Sequence, residues 1–225
     1  MTALEKNAYG RLLRFMICVA AVLFVAAGKI NYWQAWIFLA VFFGSSFAIT
    51  AYLARNDPGL LERRLVAGPS AEKDKTQKFI QLLAMVAFIA MLVFPAIDHR
   101  YGWSSVPASL AIAGDLMIAV GFLAVFLVFK ENSYASSIIE VGAEQKVVAT
   151  GPYAIVRHPM YSGALVMLIG VPLALGSWWG LLLVIPITVV LVWRLLEEEK
   201  FLTKNLPGYS DYQHKVRYRL LPVVW

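Results

Sequence analysis

The sequence predicts an all-α, polytopic transmembrane helical bundle with about six spans and a C-terminal helical hairpin. Of its 225 residues, 60% are hydrophobic and 15% are charged, whereas a soluble domain is about 45–50% apolar and about 25% charged. Apolar runs of about 20 residues, the length that crosses roughly 30 Å of hydrocarbon, recur along the chain. Basic residues fall in alternate connections between these runs. Together these observations indicate an integral, multi-pass membrane protein.

Six apolar segments divide the chain, at about residues 12–28, 32–53, 79–97, 106–129, 159–175 and 178–194. The first resembles a signal peptide, but the second follows at once, so we expect the pair to be retained as a helical hairpin. The last two segments are short and are joined by Gly176 and Ser177, which predicts a packed hairpin. We therefore expect residues 1–130 to form four spans with a polar connector. Residues 131–225 should supply a loop, the hairpin and a C-terminal tail.

The distribution of lysine and arginine predicts the orientation in the membrane. With the N-terminus in the cytoplasm, 18 of the 20 basic residues lie on the cytoplasmic side and only Lys29 and Arg100 lie outside. Basic residues accumulate on that side of spanning helices. Both termini should therefore be cytoplasmic, in the inner (plasma) membrane if the source is bacterial. The net charge of +6 then favours contact with anionic membrane lipids rather than nucleic acid.

The most informative segment runs from residue 145 to 163 and reads QKVVATGPYAIVRHPMYSG. Gly151 and Pro152 are turn residues, and Pro159 suits the first position of a helix. We expect a helix to begin at Pro159, so that its free N–H groups and positive dipole end form a place for a carboxylate or phosphate beside Arg157 and His158. Gly163, one turn later, permits close approach of a backbone or a ligand.

A second polar group closes the hairpin. Arg194 and Glu198 are four residues apart and share a helix face. Glu197, Glu198 and Glu199 are adjacent where the span leaves the membrane, and only Glu197 has a same-face lysine, Lys200. Burying three carboxylates is costly. Either a bound cation compensates them, or this is a solvated helix exit.

These spaced motifs resemble one family. Gly-Pro-Tyr-x-x-x-Arg-His-Pro-x-Tyr-x-Gly, then Arg-x-x-x-Glu about 30 residues later, then Gly-Tyr-x-x-Tyr, is similar to the pattern of the isoprenylcysteine carboxyl methyltransferase and phospholipid methyltransferase superfamily, whose members are integral membrane methyltransferases. The resemblance covers roughly residues 132–225, and it implies that this part of the chain is catalytic. The first four spans match only as a hydropathy pattern.

The resemblance implies S-adenosyl-L-methionine as the cofactor, and a role for eleven residues. The arginine matching Arg194 faces the methyl acceptor. The residues that match cofactor contacts are Gln145, Lys146, Val147, Val148, Tyr153, His158, Pro159, Met160, Tyr161 and Glu198. Some relatives have histidine at the position of Gln145 and a polar cofactor contact at that of Ile138. No metal is expected, since the single cysteine, Cys18, excludes a Cys-rich metal site.

The residue types suit this cofactor. It carries a sulfonium, an ammonium and a carboxylate, so a helix N-terminus and His158 can bind its anion while Glu198 binds a cation. Methyl transfer is a single in-line displacement, for which the protein orients the reactants and excludes water. No glycine-rich turn of the G-x-G-x-x-G type occurs. We therefore expect the hairpin and its flanking loops to hold the cofactor.

Three segments have two interpretations each. The tail from Leu206 to Pro222 alternates basic and aromatic residues, and is either an interfacial anchor or a lid over the cofactor with Tyr209, Tyr212, Arg217 and Arg219 facing the site. The connector at 55–78 is a solvated loop, or its Arg63 and Arg64 touch lipid headgroups or an anionic substrate. Asp115, inside the fourth span, is functional or makes a structural hydrogen bond.

The predicted function is methyl transfer to a lipophilic or amphiphilic acceptor that enters from the membrane. A prenylcysteine-like carboxylate is favoured, and a phospholipid amine or a thiol remains open. The alternatives are a membrane reductase with a nicotinamide cofactor, which would share the helical architecture, and a non-catalytic scaffold or transporter. A transporter should show paired broken helices in two halves, and the sequence has one such hairpin. The oligomeric state is left undetermined.

Overall fold

The computed structural model describes residues 1–142 and 144–225. Within these residues eight α-helices and two short 3₁₀ turns form, and no strand occurs. The helices are α1 (Ala3–Ala27), α2 (Trp33–Asn56), α3 (Pro58–Leu65), α4 (Lys75–Tyr101), α5 (Ala108–Glu131), α6 (Pro159–Ala174), α7 (Val184–Asn205) and α8 (Tyr209–Lys215). The predicted all-helical membrane bundle is confirmed.

Five helices are long and apolar enough to cross a membrane: α1, α2, α4, α5 and the continuous helical segment Trp179–Asn205 that includes α7. The sixth apolar segment is α6, with 16 residues, so it extends only about 24 Å at 1.5 Å per residue. The bundle is held by one large apolar core shared by the spans, with Leu23, Phe38 and Ile118 fully buried.

The predicted hairpin turn between α6 and α7 is present, since Gly176 has a φ of 77° and the Ser177 amide donates to the Pro172 carbonyl at 2.9 Å. The closest backbone packing of α6, however, is with α5 rather than with α7. A Cβ on Gly121 would lie 2.6 Å from the Gly163 carbonyl oxygen, and one on Gly170 would lie 2.7 Å from the Gly114 oxygen. Paired glycines allow the two backbones to touch, as in close-packed membrane helices.

The connector between α2 and α4 is not a simple solvated loop. Asp57 caps α3 by accepting from the Leu60 amide at 2.9 Å, and Leu60 and Leu61 are buried. Further along, Glu72 is only 3% exposed. Because these three residues are buried, the connector packs against the bundle. The mixed charge of its sequence does not predict this packing.

The far end of the bundle, away from α3 and α8, is held together by buried hydrogen bonds around Asp98, which we call the Asp98 lock. Asp98 is fully buried and accepts hydrogen bonds from the Ser104 amide at 2.7 Å and from the Ser177 hydroxyl at 2.5 Å. The Tyr32 hydroxyl donates to the Leu175 carbonyl at 2.6 Å. These contacts fasten the turn after α6 to α2 and α4, and so fix how far α6 reaches across the bundle.

Asp115 lies in the first half of α5 and does not take part in that lock. It is 4% exposed, and neither carboxylate oxygen has a hydrogen-bond partner in the part of the chain that the structure describes. Of the two interpretations of Asp115, the structural hydrogen bond is therefore not seen.

Candidate functional site

A cleft with about 780 Å³ of unfilled space, part of it open to solvent, lies where α6 begins and α7 ends. We call it the cofactor cleft. Its walls are the loop after α5, the 3₁₀ turn Gly151–Ala154, the first turn of α6, the last turns of α7, and α8. The ten residues that match cofactor contacts all line it: Gln145, Lys146, Val147, Val148, Tyr153, His158, Pro159, Met160, Tyr161 and Glu198. Arg194 does not line it, and cofactor binding by the ten stays a prediction.

The helix that starts at Pro159 is present as expected. Proline occupies the first turn of α6, and His158 precedes it with a non-helical φ of −126°. The amides of Met160 and Tyr161 lie in the first turn, where a helix offers no internal acceptor. The cleft therefore contains free backbone donors and the positive end of a helix dipole.

Glu198 and Tyr161 meet across the cleft. The Tyr161 hydroxyl donates to Glu198 Oε2 at 2.6 Å, which joins the first turn of α6 to the end of α7. The second carboxylate oxygen of Glu198 has no partner among the described residues. An acceptor-only group with a free oxygen can bind a ligand ammonium or hydroxyl.

Glu199 is a residue that the sequence reasoning did not single out. It is 4% exposed, and its Oε1 accepts from Arg157 Nε at 2.7 Å and lies 3.2 Å from His158 Nε2. Its Oε2 accepts from Arg219 Nε at 2.9 Å. The two basic groups beside the start of α6 therefore face a protein carboxylate and are not free for a ligand anion. The sequence feature that could have predicted an acidic partner is Arg157 itself, because a buried arginine needs a counterion.

The three adjacent glutamates thus have three different partners. Glu197 pairs with Lys200 at 2.6 Å, as the spacing predicts. Glu198 binds Tyr161, and Glu199 binds the basic cluster. The solvated helix exit applies to Glu197 alone.

The tail packs onto the motif segment. The amides of Arg157 and His158 donate to the carbonyls of Tyr218 and Arg219, both at 2.9 Å, and the Ser162 hydroxyl donates to the Leu220 carbonyl at 2.6 Å. Within the tail, Tyr209 and Tyr212 are buried and line the cleft. Arg219 faces Glu199, and the exposed Arg217 contributes its carbonyl oxygen, which accepts from Arg157. The tail is therefore a wall of the cleft, whatever its contact with lipid.

Tyr153 is held at the floor of the cleft. Its hydroxyl accepts from Asn132 Nδ2 at 2.9 Å, and its carbonyl accepts from the Tyr212 hydroxyl at 2.7 Å. Burial raises the pKa of Tyr153 to about 12. The phenol therefore stays neutral, so it can donate a hydrogen bond and cannot act as an anion at physiological pH.

Arg194 lies on the other side of the Tyr161–Glu198 pair, bound to the connector. Its NH2 group donates to Glu72 Oε1 at 2.8 Å and to the Ser137 carbonyl at 3.1 Å, and its NH1 group donates to Gln77 Oε1 at 3.2 Å. Glu72 in turn accepts from the Ile139 amide at 3.4 Å. Arg194 thus ties the loop after α5 to the connector, and its charge is already compensated.

The structure is that of a polytopic helical membrane protein with a cleft at one end of the bundle. A sequence model of the phospholipid methyltransferase family matches residues 110–207, from the start of α5 to the end of α7. Two rice proteins, from Oryza sativa subsp. indica and subsp. japonica, are each 27% identical to this chain over 194 residues, which are 81% of this chain and 93% of the relative. Both are named as probable protein-S-isoprenylcysteine O-methyltransferases.

These matches support the superfamily that the motifs predict, that of the isoprenylcysteine carboxyl methyltransferases and phospholipid methyltransferases. Both comparisons point to a membrane methyltransferase. The family match also starts earlier than the motif resemblance, and takes in α5, the helix against which α6 is packed.

Proposed function

We propose that the chain transfers the methyl group of S-adenosyl-L-methionine to a lipophilic or amphiphilic acceptor at the cytoplasmic membrane face. The observation that carries this is the cofactor cleft, in which residues from three separate motifs converge beside the membrane-facing helices. Both comparisons name methyltransferases, which favours this function over a reductase or a non-catalytic scaffold. Residues 131–225 hold the cofactor in this proposal, and the four N-terminal spans provide most of the acceptor site.

The donor set of the cleft fits such a cofactor. The first-turn amides of α6 suit its carboxylate, the free oxygen of Glu198 suits its ammonium or a ribose hydroxyl, and the tyrosines and valines suit the flat adenine. The cofactor supplies an electrophilic methyl group on a sulfonium. The role of the protein is then to align the two reactants and keep water out. The buried Tyr209 and Tyr212 of the tail close the cleft on the aqueous side.

The acceptor site proposed is a second cavity on the membrane side, which we call the acceptor groove. It holds about 500 Å³ and lies between α1, α2, α3 and α5. Its apolar lining includes Leu12, Phe15, Ile49, Leu53, Phe122 and Phe129. Phe15 is 43% exposed on the outer surface of the bundle, so a lipid chain can enter sideways without crossing water.

With a carboxylate acceptor the transfer needs no proton movement. A carboxylate oxygen forms the new bond to the methyl carbon as the bond from that carbon to sulfur breaks, which gives a methyl ester and a neutral thioether. An amine acceptor would have to lose a proton as well. A carboxylate acceptor therefore makes the smaller chemical demand on the cleft, which favours a prenylcysteine-like carboxylate over an amine.

The test uses the full chain in lipid nanodiscs. Binding of S-adenosyl-L-homocysteine is measured by calorimetry, and transfer of a labelled methyl group is measured with an S-prenylcysteine, a phosphatidylethanolamine and an alkyl thiol as acceptors. We expect micromolar cofactor binding and labelling of the S-prenylcysteine. A chain that binds no cofactor product and labels no acceptor, although folded, would refute the proposal.

A further inference from the structure

Arg64 lies at the boundary between the acceptor groove and the cofactor cleft. It lines the groove, while its NH1 group donates to the carbonyl of Ser136, a cleft residue, at 3.0 Å and lies 4.0 Å from the sulfur of Met160 in the first turn of α6. Ser137, the next residue, lines the groove, and its hydroxyl donates to the Arg64 carbonyl at 3.1 Å. This short loop and the Arg64 side chain therefore contact both cavities. The reacting end of an acceptor has to reach this boundary.

The charge of Arg64 has no anionic partner among residues 1–142 and 144–225. Its hydrogen bonds go to two backbone carbonyls and a thioether, and its guanidinium lies 4.9 Å from the centre of the Phe129 ring. No carboxylate among the described residues pairs with it. Burial lowers the pKa of Arg64 to about 10, so the group is still charged at neutral pH. A half-buried cation without a counterion is unfavourable, and an anionic ligand would relieve that cost.

The other two arginines near the acceptor path differ from Arg64, one by its ion pair and the other by its exposure to solvent. Arg194 is neutralised by Glu72 at 2.8 Å, so a ligand carboxylate could reach it only by displacing that buried glutamate. Arg11 also lines the groove, but it is exposed and donates to Asn7 and to the Leu65 carbonyl. The charged residues that line the groove are Arg11 and Arg64, and both are positive. This charge pattern matches an anionic amphiphile.

We infer that Arg64 is the residue that selects the acceptor, by pairing with an anionic group on the head of an amphiphile whose chain lies in the acceptor groove. The inference rests on the proposed function and deepens it. One oxygen of an acceptor carboxylate binds the planar guanidinium, which leaves the other oxygen to face the cleft. Arg64 is thus a specificity-determining residue, and a neutral head would leave its charge unpaired.

The experiment compares two probes in lipid nanodiscs, N-acetyl-S-farnesylcysteine and its uncharged carboxamide. The carboxamide serves as a competitor, so both dissociation constants are obtained without turnover. We expect the wild type to bind the acid at least tenfold more tightly than the amide. Arg64→Gln should reduce this ratio to about one, and Arg64→Lys should give an intermediate ratio because it keeps the charge but loses the planar fork.

Arg63→Gln is the matched control, since the neighbouring arginine bonds to the Ser133 carbonyl and does not line the groove. It should keep the wild-type ratio. Binding of S-adenosyl-L-homocysteine reports folding in each variant. If Arg64→Gln fails to fold, the ratio of dissociation constants measured for Arg64→Lys tests the inference. An unchanged ratio in the Arg64 variants, or a ratio lost in Arg194→Gln instead, would overturn the inference. Cofactor binding without discrimination between the probes in the wild type would overturn it too, while leaving the proposed methyltransferase function intact.

Discussion

Glu198 and Glu199 are neighbours in sequence that serve different purposes, and the difference is set by the helix face on which each lies. Glu199 points toward Arg157 and Arg219, which it holds by ion pairs of 2.7 and 2.9 Å in a buried setting. Glu198 points into the cleft and is bound only by the Tyr161 hydroxyl. One carboxylate therefore stabilises the fold around the site, and the other keeps an oxygen available to a ligand.

This difference gives the first prediction. Glu198→Gln should weaken binding of S-adenosyl-L-homocysteine by roughly tenfold or more, because a hydrogen bond to a charged group contributes about 1.5–3 kcal/mol. Calorimetric titration of the purified protein measures the effect. Glu197→Gln is the control, since Glu197 pairs with the exposed Lys200 and lies outside the cofactor cleft. Equal affinities for the two variants would remove Glu198 from the cofactor site.

Arg194 gives the second prediction. Its guanidinium joins Glu72, Gln77 and the Ser137 carbonyl, so it holds the loop that separates cleft from groove. Arg194→Lys keeps the charge but cannot make all of these contacts at once. We expect turnover to fall about tenfold or more, equivalent to about 1.4 kcal/mol in the barrier, with little change in cofactor affinity.

Glu72→Gln tests whether Arg194 acts through the connector. It should lower turnover in the same direction, because it breaks the same ion pair from the other side. Methyl transfer and cofactor binding are measured side by side in both variants. If cofactor affinity collapsed in Arg194→Lys while turnover at saturating cofactor stayed normal, Arg194 would belong to the cofactor site instead.

Among the elements, α6 is the one whose position decides the geometry of the cleft. It begins at the cleft with Pro159 and is locked to α5 by Gly163 and Gly170. The start of α6 was predictable, because Pro159 favours the first helical turn whatever lies around it. Its main packing partner was not, because a glycine in a sequence shows that close approach is possible and does not show which helix approaches.

Replacing a glycine of this contact is the third prediction. A Cβ on Gly163 would lie 2.9 Å from the Gly121 carbonyl oxygen and 3.0 Å from the Ala124 Cβ, so Gly163→Ala should push α6 away from α5 and displace Met160 and Tyr161. We expect a lower melting temperature in detergent and a several-fold weaker cofactor affinity. Gly44→Ala, in α2, is the matched control, since a Cβ at that position would have no neighbour within 4 Å. If the two variants had equal melting temperatures and equal cofactor affinities, the α5–α6 contact would have room for an added methyl group.

The loop after α5 and the connector contribute residues to the site that could not be predicted from the sequence. Nine of the ten motif residues that line the cleft lie within 145–161, and these and Glu198 could be recognised by their order and spacing. Glu72, Arg64 and Asn132 reach the site from distant segments through buried ionic or polar contacts. Such pairings depend on tertiary structure, and neither composition nor spacing identifies them.

At the scale of the whole molecule, the two ends of the bundle differ in charge and in aromatic content. Lys29 and Arg100 are the basic residues at the end that carries the Asp98 lock, and the other 18 lie in the half that carries the cleft. Exposed aromatic residues ring the Asp98 end: Trp33, Trp36, Tyr101, Trp103, Trp178 and Trp179. Tryptophan and tyrosine concentrate at membrane interfaces, so this ring marks where that end meets the headgroups.

The fourth prediction is that the cleft and both termini face the cytoplasm. The N-terminal half of α1 lies at the cleft end, where Arg11 donates to the Leu65 carbonyl, and the tail lies there as well, where the Arg157 amide donates to the Tyr218 carbonyl. Both termini are therefore on one side, and the excess of basic residues on that side assigns it to the cytoplasm. A reporter that is active only in the cytoplasm should work when fused after Trp225, and one that is active only outside should work when inserted next to Lys29. A cysteine placed beside Arg100, in a Cys18→Ala background, should react with a membrane-impermeant thiol reagent in intact cells. The opposite pattern of reporters would place the cleft outside the cell, away from any cytoplasmic supply of the methyl donor.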